Sequence, residues 1–309
     1  MSETMQDDEK DEPACNRQVG IVILNWNEYN DTATCLRSLS DINYSSYSVY
    51  VVDNGSTDDS FTKLKQEFSW CNFIQKKDNT GFASGCNSGI LEARSDGCDY
   101  VLLLNNDTIV NDNFLSPLVE TAESNDTVAA VGGIIYYPGK EQIWFSGGKI
   151  YPRAAKIKRD TKLRRSTEYQ TDWIISAMML INVDFLDEYG SLNEDYFFGS
   201  EDQELCYYAH KNNWNLYINP KSEVVHKPHS ASGSTNGFQF YHNTYNRLYF
   251  ASNCLKPTDQ ILFYIYFFFN RVAFLIYFSL TARIGMLKCL LYAVIDYHRG
   301  EYRKATEYI

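Results

Sequence analysis

The chain has no CxxC pair and no cysteine–histidine cluster with zinc-finger spacing, which removes the usual basis for a structural zinc domain. Its eight cysteines lie singly, several within apolar runs where a free thiol behaves as a small core residue. Unpaired thiols in a reducing compartment are therefore expected. A basic excess is also missing. With 28 Lys and Arg against 39 Asp and Glu, the net charge of −11 argues against a general nucleic-acid binder. It leaves room for local phosphate binding through a metal and a few cations. The opening Met1–Glu12 stretch has neither a basic n-region nor an apolar h-region, so it does not read as a signal peptide. Residues 1–18 read as a disordered acidic tail, and the catalytic part is placed in the cytoplasm. No internal repeat and no low-complexity tract is seen. The first apolar run ends in Asn25-Trp26-Asn27 rather than a G-x-G-x-x-G turn, which counts against a dinucleotide site.

What is present is a pair of apolar strands that each run into an acidic tip. One is Tyr50–Asp53 followed by Asn54-Gly55-Ser56-Thr57-Asp58, the other Tyr100–Leu104 followed by Asn105-Asn106-Asp107. Near-continuous apolar runs fit strands buried on both faces of a parallel sheet. Ligands of such sheets bind outside the carboxyl ends of the strands, where both acids would emerge.

Around them the pattern alternates strand and helix. A strand is expected over Gly20–Asn25, then a helix capped by Asp31 that buries Cys35, Leu36 and Leu39. A helix over Ser60–Trp70, a short strand at Phe73-Ile74 and a loop leading into a helix near Asn79–Ile90 follow. The fourth strand should end at Asp107. Further strands are expected at Val128–Ile135, Gln142–Tyr151, Trp173–Ile181 and Trp214–Ile218, with a helix over Ser200–Lys211. This order predicts an α/β fold with a mainly parallel central sheet and flanking helices. One large domain over 19–250 and a C-terminal helical region over 251–309 complete the organisation. Ile261–Leu280 is apolar, rich in Tyr and Phe, and followed by Arg283, Lys288, Arg299, Arg303 and Lys304. It is long enough to span a bilayer, but Arg271 at its centre would cost roughly 2.5–3.5 kcal/mol there. An interfacial or dipping helix pair is favoured over a span or a soluble cap.

Taken singly, each polar motif has an ordinary explanation. Asp53-Asn54-Gly55-Ser56 is turn chemistry, Asp107 can close a turn, and Glu201, Asp202 and Glu204 can favour a helix N-terminus. The sharper alternatives are a carboxylate for nucleotide hydroxyl or N–H donors at Asp53, and a divalent-cation ligand at Asp107. Asp202 would be a general base for an acceptor hydroxyl, and His226 a metal or phosphate ligand. His229 is the weaker candidate of the two histidines.

In order along the chain, these segments resemble family 2 glycosyltransferases with a GT-A fold, most nearly their rhamnosyltransferase-like branch. The stretches that carry the likeness are Val22–Asn27, Val51–Asp58, Asn79–Asn87, Leu104–Thr108, Phe197-Phe198 with Glu201-Asp202, and His226. The resemblance covers residues 19 to 250 and implies inverting transfer of a sugar from a nucleotide-sugar donor. The acceptor it implies is a hydroxyl of a lipid-linked glycan or polysaccharide precursor, at the cytoplasmic membrane face. Asp53 would contact the base, with Asn25, Asn27, Glu28, Gly55, Asn79, Gly81, Asn87 and Asn106 also in the donor site. Asp107 and His226 would hold Mg²⁺ or Mn²⁺, and Asp202 would be the base. Glu201 and Arg247 would serve the acceptor or the diphosphate.

Two positions depart from the family pattern. Asn105 stands where the first acid of the DxD element is expected, so metal binding rests more on Asp107. Tyr245-Asn246 stands where many relatives carry Arg-Asn, leaving Arg247 as the substitute phosphate contact. The basic residues Arg153, Lys156, Lys158, Arg159, Lys162, Arg164 and Arg165 are expected in a loop that can steer an anionic donor or acceptor. Two other classes compete: another nucleotide-dependent α/β enzyme, and a catalytically silent membrane scaffold that keeps the fold.

Overall fold

The computed structural model describes residues 17–227 and 237–300. Most of the expected acidic tail, His229, Arg303 and Lys304 lie outside the described residues.

The chain runs β1 (Val19–Asn25), α1 (Tyr29–Leu39), β2 (Tyr47–Asp53), α2 (Ser60–Glu67), β3 (Asn72–Gln75), α3 (Phe82–Ser95), β4 (Tyr100–Leu104) and β5 (Thr108–Val110). It continues through α4 (Leu115–Ala122), β6 (Val128–Tyr136), β7 (Ile143–Phe145), β8 (Gly148–Tyr151), β9 (Lys156–Arg159), β10 (Tyr169–Gln170), β11 (Met178–Asn182) and α5 (Val183–Tyr189). Then come α6 (Glu201–Lys211), β12 (Asn215–His226), α7 (Gly237–Cys254), α8 (Pro257–Leu280) and α9 (Ile284–Arg299).

The main sheet has the order β10-β12-β6-β11-β4-β1-β2-β3, with β5 beside β12 and β7 beside β6. β1, β2, β3 and β4 are mutually parallel, as are β6 and β12. β11 lies antiparallel to β4 and β6 and joins the two parallel halves. Strands such as β4 and β6, apolar along nearly their whole length, are buried on both faces. α3 can lie close to β1 because its contact face is glycine: a Cβ on Gly85 would sit 2.4 Å from Leu24 Cδ1, and one on Gly89 2.5 Å from Val22 Cγ1. The small residues of this stretch thus serve packing against a strand.

Several boundaries differ from those expected. Asp31 lies in the first turn of α1, whose cap position is Glu28. β4 stops at Leu104, so Asp107 sits in the turn between β4 and β5. Helix α2 ends at Glu67, and the Trp173–Ile181 stretch is extended in the sheet only from Met178. The Gln142–Tyr151 stretch is two strands, and β12 runs on to His226. Of the basic run, Lys156, Lys158 and Arg159 lie in β9 of a β8–β9 hairpin and Arg153 in its turn, while Lys162, Arg164 and Arg165 follow in a loop. α7 passes through residue 250, and the chain breaks at Leu255-Lys256 before Pro257 starts α8.

α7, α8 and α9 pack on one another through their own apolar clusters. α8 buries Phe263, Phe267, Arg271 and Phe278 on one face, while Ile265, Phe268, Phe269, Ile276 and Leu280 are exposed. By length and composition it could cross a bilayer. It is nonetheless fastened to the rest of the chain. Arg153 Nε lies 2.8 Å from Asp259 Oδ1, and Lys156 Nζ donates to Tyr266 Oη at 2.6 Å. The Arg247 guanidinium stacks on Phe263, Tyr266 and Phe267.

Candidate active site

The β1–β2 register sets Asn25 opposite Asp53 at the carboxyl end of the parallel strands. Both side chains are fully buried. Asn25 Nδ2 donates to Asp53 Oδ1 at 2.9 Å, and the Ser56 N–H donates to Asp53 Oδ2 at 3.1 Å. The Ser56 hydroxyl donates to the same carboxylate. Asn25 Oδ1 accepts from Thr32 Oγ1 at 2.9 Å. Asn27, held at φ 57, accepts the Thr57 N–H at 2.8 Å and so tethers the turn after β1 to the turn after β2. Gly55, at φ +74, gives that turn its close approach to Asp78.

Asp53 therefore does not lie on an open surface as expected for a base contact. It is the buried anchor of the floor, and its neighbour Asn54 reaches the hollow above. Removing this acceptor takes a partner from the buried Asn25 amide and from the two half-buried Ser56 donors. Asp53→Ala is expected to cost about 2–3 kcal/mol, read as a lower denaturant midpoint at unchanged m-value.

Above this floor lies a hollow of 530 Å³, lined among others by Trp26, Glu28, Asn54, Asn79, Asn106 and Asp107. That size and mixed apolar–polar lining suit a bound small molecule. Gly81, at φ +93, lets the start of α3 touch Phe197, since a Cβ there would sit 2.7 Å from the Phe197 carbonyl oxygen. Asn106 Nδ2 donates to Thr32 Oγ1 at 2.9 Å. Asn87 is not in this hollow. Its amide donates to the Leu192 carbonyl and Glu194 and accepts the Leu192 N–H, which fastens α3 to the 192–194 turn.

The β5–β12 register pairs His226 with Thr108 and so brings it beside Asp107. His226 Nε2 lies 2.9 Å from Asp107 Oδ1 and 3.3 Å from Asn105 Nδ2. Both side chains are nearly buried. Beyond that contact Asp107 Oδ1 has no hydrogen-bond partner among the described residues, and His226 Nδ1 has none. Trp144 packs against the imidazole, with ring centroids 4.5 Å apart, and the Arg159 guanidinium lies 4.6 Å from the Trp144 ring centroid. Two neighbouring ligands about 2.1 Å from one octahedral cation lie about 3.0 Å apart. The Asp107–His226 spacing and atom types fit such a cation. Among the described residues no three His, Cys, Asp or Glu side chains converge, so the protein would supply two ligands and leave the remaining positions to phosphate and water.

Phe197 and Phe198 form the far wall of this hollow, and Gly199 and Ser200 line a second one of 520 Å³. The strip is clamped from α7. Asn246 Nδ2 donates to the carbonyls of Phe198 at 3.0 Å and Gly199 at 2.7 Å. The His242 ring packs against Phe197, Phe198 and Phe238. Burial lowers the His242 pKa to about 4, so the ring is neutral there. Ser200 precedes α6 in the left-handed region, φ 81, and makes no side-chain cap. A non-glycine residue held there stores roughly 1–3 kcal/mol, as residues at functional sites often do.

The clamp sets the first turn of α6. Asp202 lines the second hollow, with Oδ1 accepting the Gln203 N–H at 2.7 Å and Oδ2 the Ser176 N–H at 3.4 Å. Glu201 accepts from Ser176 Oγ at 2.8 Å. Burial raises both carboxyl pKa values, and the adjacent Glu201 raises Asp202 further, well above the usual carboxylate range. A carboxyl so placed, lining a cavity, is suited to accept a proton from a hydroxyl bound there.

The three expected acids therefore divide. Asp107 lines one hollow, Asp202 the adjacent one across the Phe197–Ser200 strip, and Asp53 lies beneath the first. Arg247 joins Asp202 in the second hollow. Trp144 and the Asn246 clamp carried no local sequence signal, since both act only through contacts between distant segments.

Residues 20–190 match the protein family described as glycosyl transferase family 2. The chain is 24% identical over 260 residues to the low-salt glycan biosynthesis hexosyltransferase Agl10 of Haloferax volcanii, covering 79% of this chain and 78% of that protein. Among solved structures it is similar to GalNAc-T7 with UDP, GalNAc and Mn²⁺, at a TM-score of 0.58 and 15% identity over 76% of this chain. It spans about half of that protein, 51%. It is also similar to the mannosyltransferase PcManGT from Pyrobaculum calidifontis in complex with GDP-Man and Mn²⁺, at 0.55 and 12% identity, over 94% of this chain and 89% of that one. For S. aureus TarS the TM-score is 0.54 at 14% identity, over 79% of this chain and 41% of that one.

Proposed function

Since the chain belongs to glycosyl transferase family 2, we propose that it moves a hexosyl group, with inversion, from a nucleotide-sugar to a hydroxyl of a lipid-linked glycan or polysaccharide precursor. The observation that carries this reading is the strip Phe197–Ser200, with the Asp107–His226 pair on one side and Asp202 on the other.

The donor occupies the first hollow, over the floor that Asn25 and Asp53 stiffen, with Trp26, Glu28, Asn54, Asn79 and Asn106 around it. Asp107 and His226 would hold Mg²⁺ or Mn²⁺, which when bound offsets negative charge on a departing diphosphate. The acceptor enters the second hollow. Its hydroxyl oxygen bonds to the anomeric carbon as the bond to the diphosphate oxygen breaks. The bonding pair leaves with the nucleoside diphosphate, and the hydroxyl proton passes to Asp202. α8 places its exposed apolar face in the cytoplasmic membrane interface, because its opposite face is fastened to the catalytic part.

A panel of UDP-, GDP- and dTDP-sugars, including dTDP-rhamnose, tests the proposal through nucleotide release with Mg²⁺ or Mn²⁺. One donor class is expected to be turned over, and a chelator should abolish turnover. No release from any donor, with or without membrane extract as acceptor, would defeat it.

A further inference from the structure

The second hollow contains more charge and more unsatisfied polarity than a neutral hydroxyl needs. Arg247 and Arg271 both line it. Arg271 is only 7% exposed although it lies in the middle of the apolar helix α8. It is surrounded by the rings of Phe240, Phe267 and Phe274. Its Nε has no hydrogen-bond partner among the described residues. Arg247 is held in place by donating twice to the Ala154 carbonyl, at 3.2 and 2.7 Å. Neither guanidinium is in an ion pair among the described residues.

Among the described residues two further buried polar atoms on the same hollow lack partners: Gln203 Nε2, one residue from Asp202, and Asn270 Oδ1, one residue from Arg271. Unsatisfied buried donors are rare because each forfeits its full hydration. Two guanidiniums without an ion pair among the described residues and an amide donor around one cavity are complementary to a multivalent oxyanion. Phosphate esters are the usual partner of paired arginines.

Building on the proposed transfer to a lipid-linked acceptor, we infer that Arg247, Arg271 and Gln203 form a phosphate subsite for the group that joins the acceptor glycan to its lipid. One helix then serves both ends of that molecule. α8 turns Asn270 and Arg271 to the hollow and exposes Ile265, Phe268, Phe269 and Ile276 on the other side, where acyl or prenyl chains lie. It also accounts for a buried arginine inside an otherwise apolar helix. The charge belongs to the site and is shielded from lipid by the chain itself.

The test is direct binding to the full chain in detergent, without donor, of farnesyl diphosphate, farnesol and inorganic pyrophosphate. Farnesyl diphosphate is expected to bind at least about tenfold more tightly than either of the others. Arg271→Gln and Arg247→Gln should each weaken it by about tenfold or more while nucleoside diphosphate binding with Mn²⁺ stays within about twofold. Arg271→Lys should retain part of the affinity.

Farnesol binding as well as its diphosphate would overturn the phosphate subsite, and that comparison uses wild type alone, whatever the variants do. Pyrophosphate binding as tightly as the lipid would overturn the lipid assignment. Loss of nucleotide rather than lipid binding in the arginine variants would reassign them to the donor. Because donor and metal are absent from the lipid arm, its failure is separate from failure of sugar transfer, which the donor panel reads.

Discussion

Asp202→Asn is expected to lower sugar transfer by about 1000-fold while leaving nucleotide binding unchanged, since the proposed general base is lost and the first hollow is untouched. The amide keeps the size of the carboxylate and can still accept the Gln203 N–H. It cannot take the hydroxyl proton. In wild type the acid limb of the rate profile should lie above the ordinary carboxylate range, because burial and the Glu201 charge raise the pKa of Asp202. Activity is lost as pH falls through that raised value. Glu201→Gln removes the like charge, so the limb should move to lower pH.

Stability carries the opposite sign. A carboxyl whose folded pKa is raised supports the fold below its unfolded pKa, and that support is lost as pH rises through the folded value. Asp202→Asn should therefore melt higher than wild type at neutral pH while being inactive. Equal melting temperatures and wild-type turnover together would remove Asp202 from the base role.

The second large effect is expected at the Asp107–His226 pair. Asp107→Ala should lower transfer by at least about 100-fold and remove the dependence of nucleotide affinity on Mn²⁺, because one of the two proposed protein ligands is gone. His226→Ala should act in the same direction. Titration of a nucleoside diphosphate by calorimetry, with and without Mn²⁺, separates cation loss from unfolding. Unaltered Mn²⁺ enhancement in both variants would place the cation elsewhere.

Much of the fold could be read from the chain. Continuous apolar runs at Gly20–Asn25, Tyr50–Asp53 and Tyr100–Leu104, separated by helical patterns, pointed to a mainly parallel sheet, and the ordered motifs resembled the GT-A fold, which the family match and the structural likenesses bear out. The acid at position 107 was legible as the tip after a strand, although the strand itself stops at Leu104. Less could be inferred for residues whose role depends on register and on distant partners. Asp53 looks like an exposed tip locally, yet the β1–β2 register closes Asn25 over it. Asn87 sits in a matching motif but faces the 192–194 turn because α3 presents its glycine face to β1. Arg271 looked like a burden on an apolar helix until the packing of α7 against α8 turned it toward a cavity. Such placements arise from tertiary contacts, which no local pattern records.

Anomalous diffraction at the manganese edge, from crystals grown with Mn²⁺ and the nucleoside diphosphate released in the donor panel, tests the division of the two hollows most directly. A single metal peak bridging Asp107, His226 and the diphosphate, with the cavity beside Asp202 free of nucleotide, is the predicted result. A metal peak remote from that pair, or a diphosphate seated against Arg247 and Asp202, would contradict it.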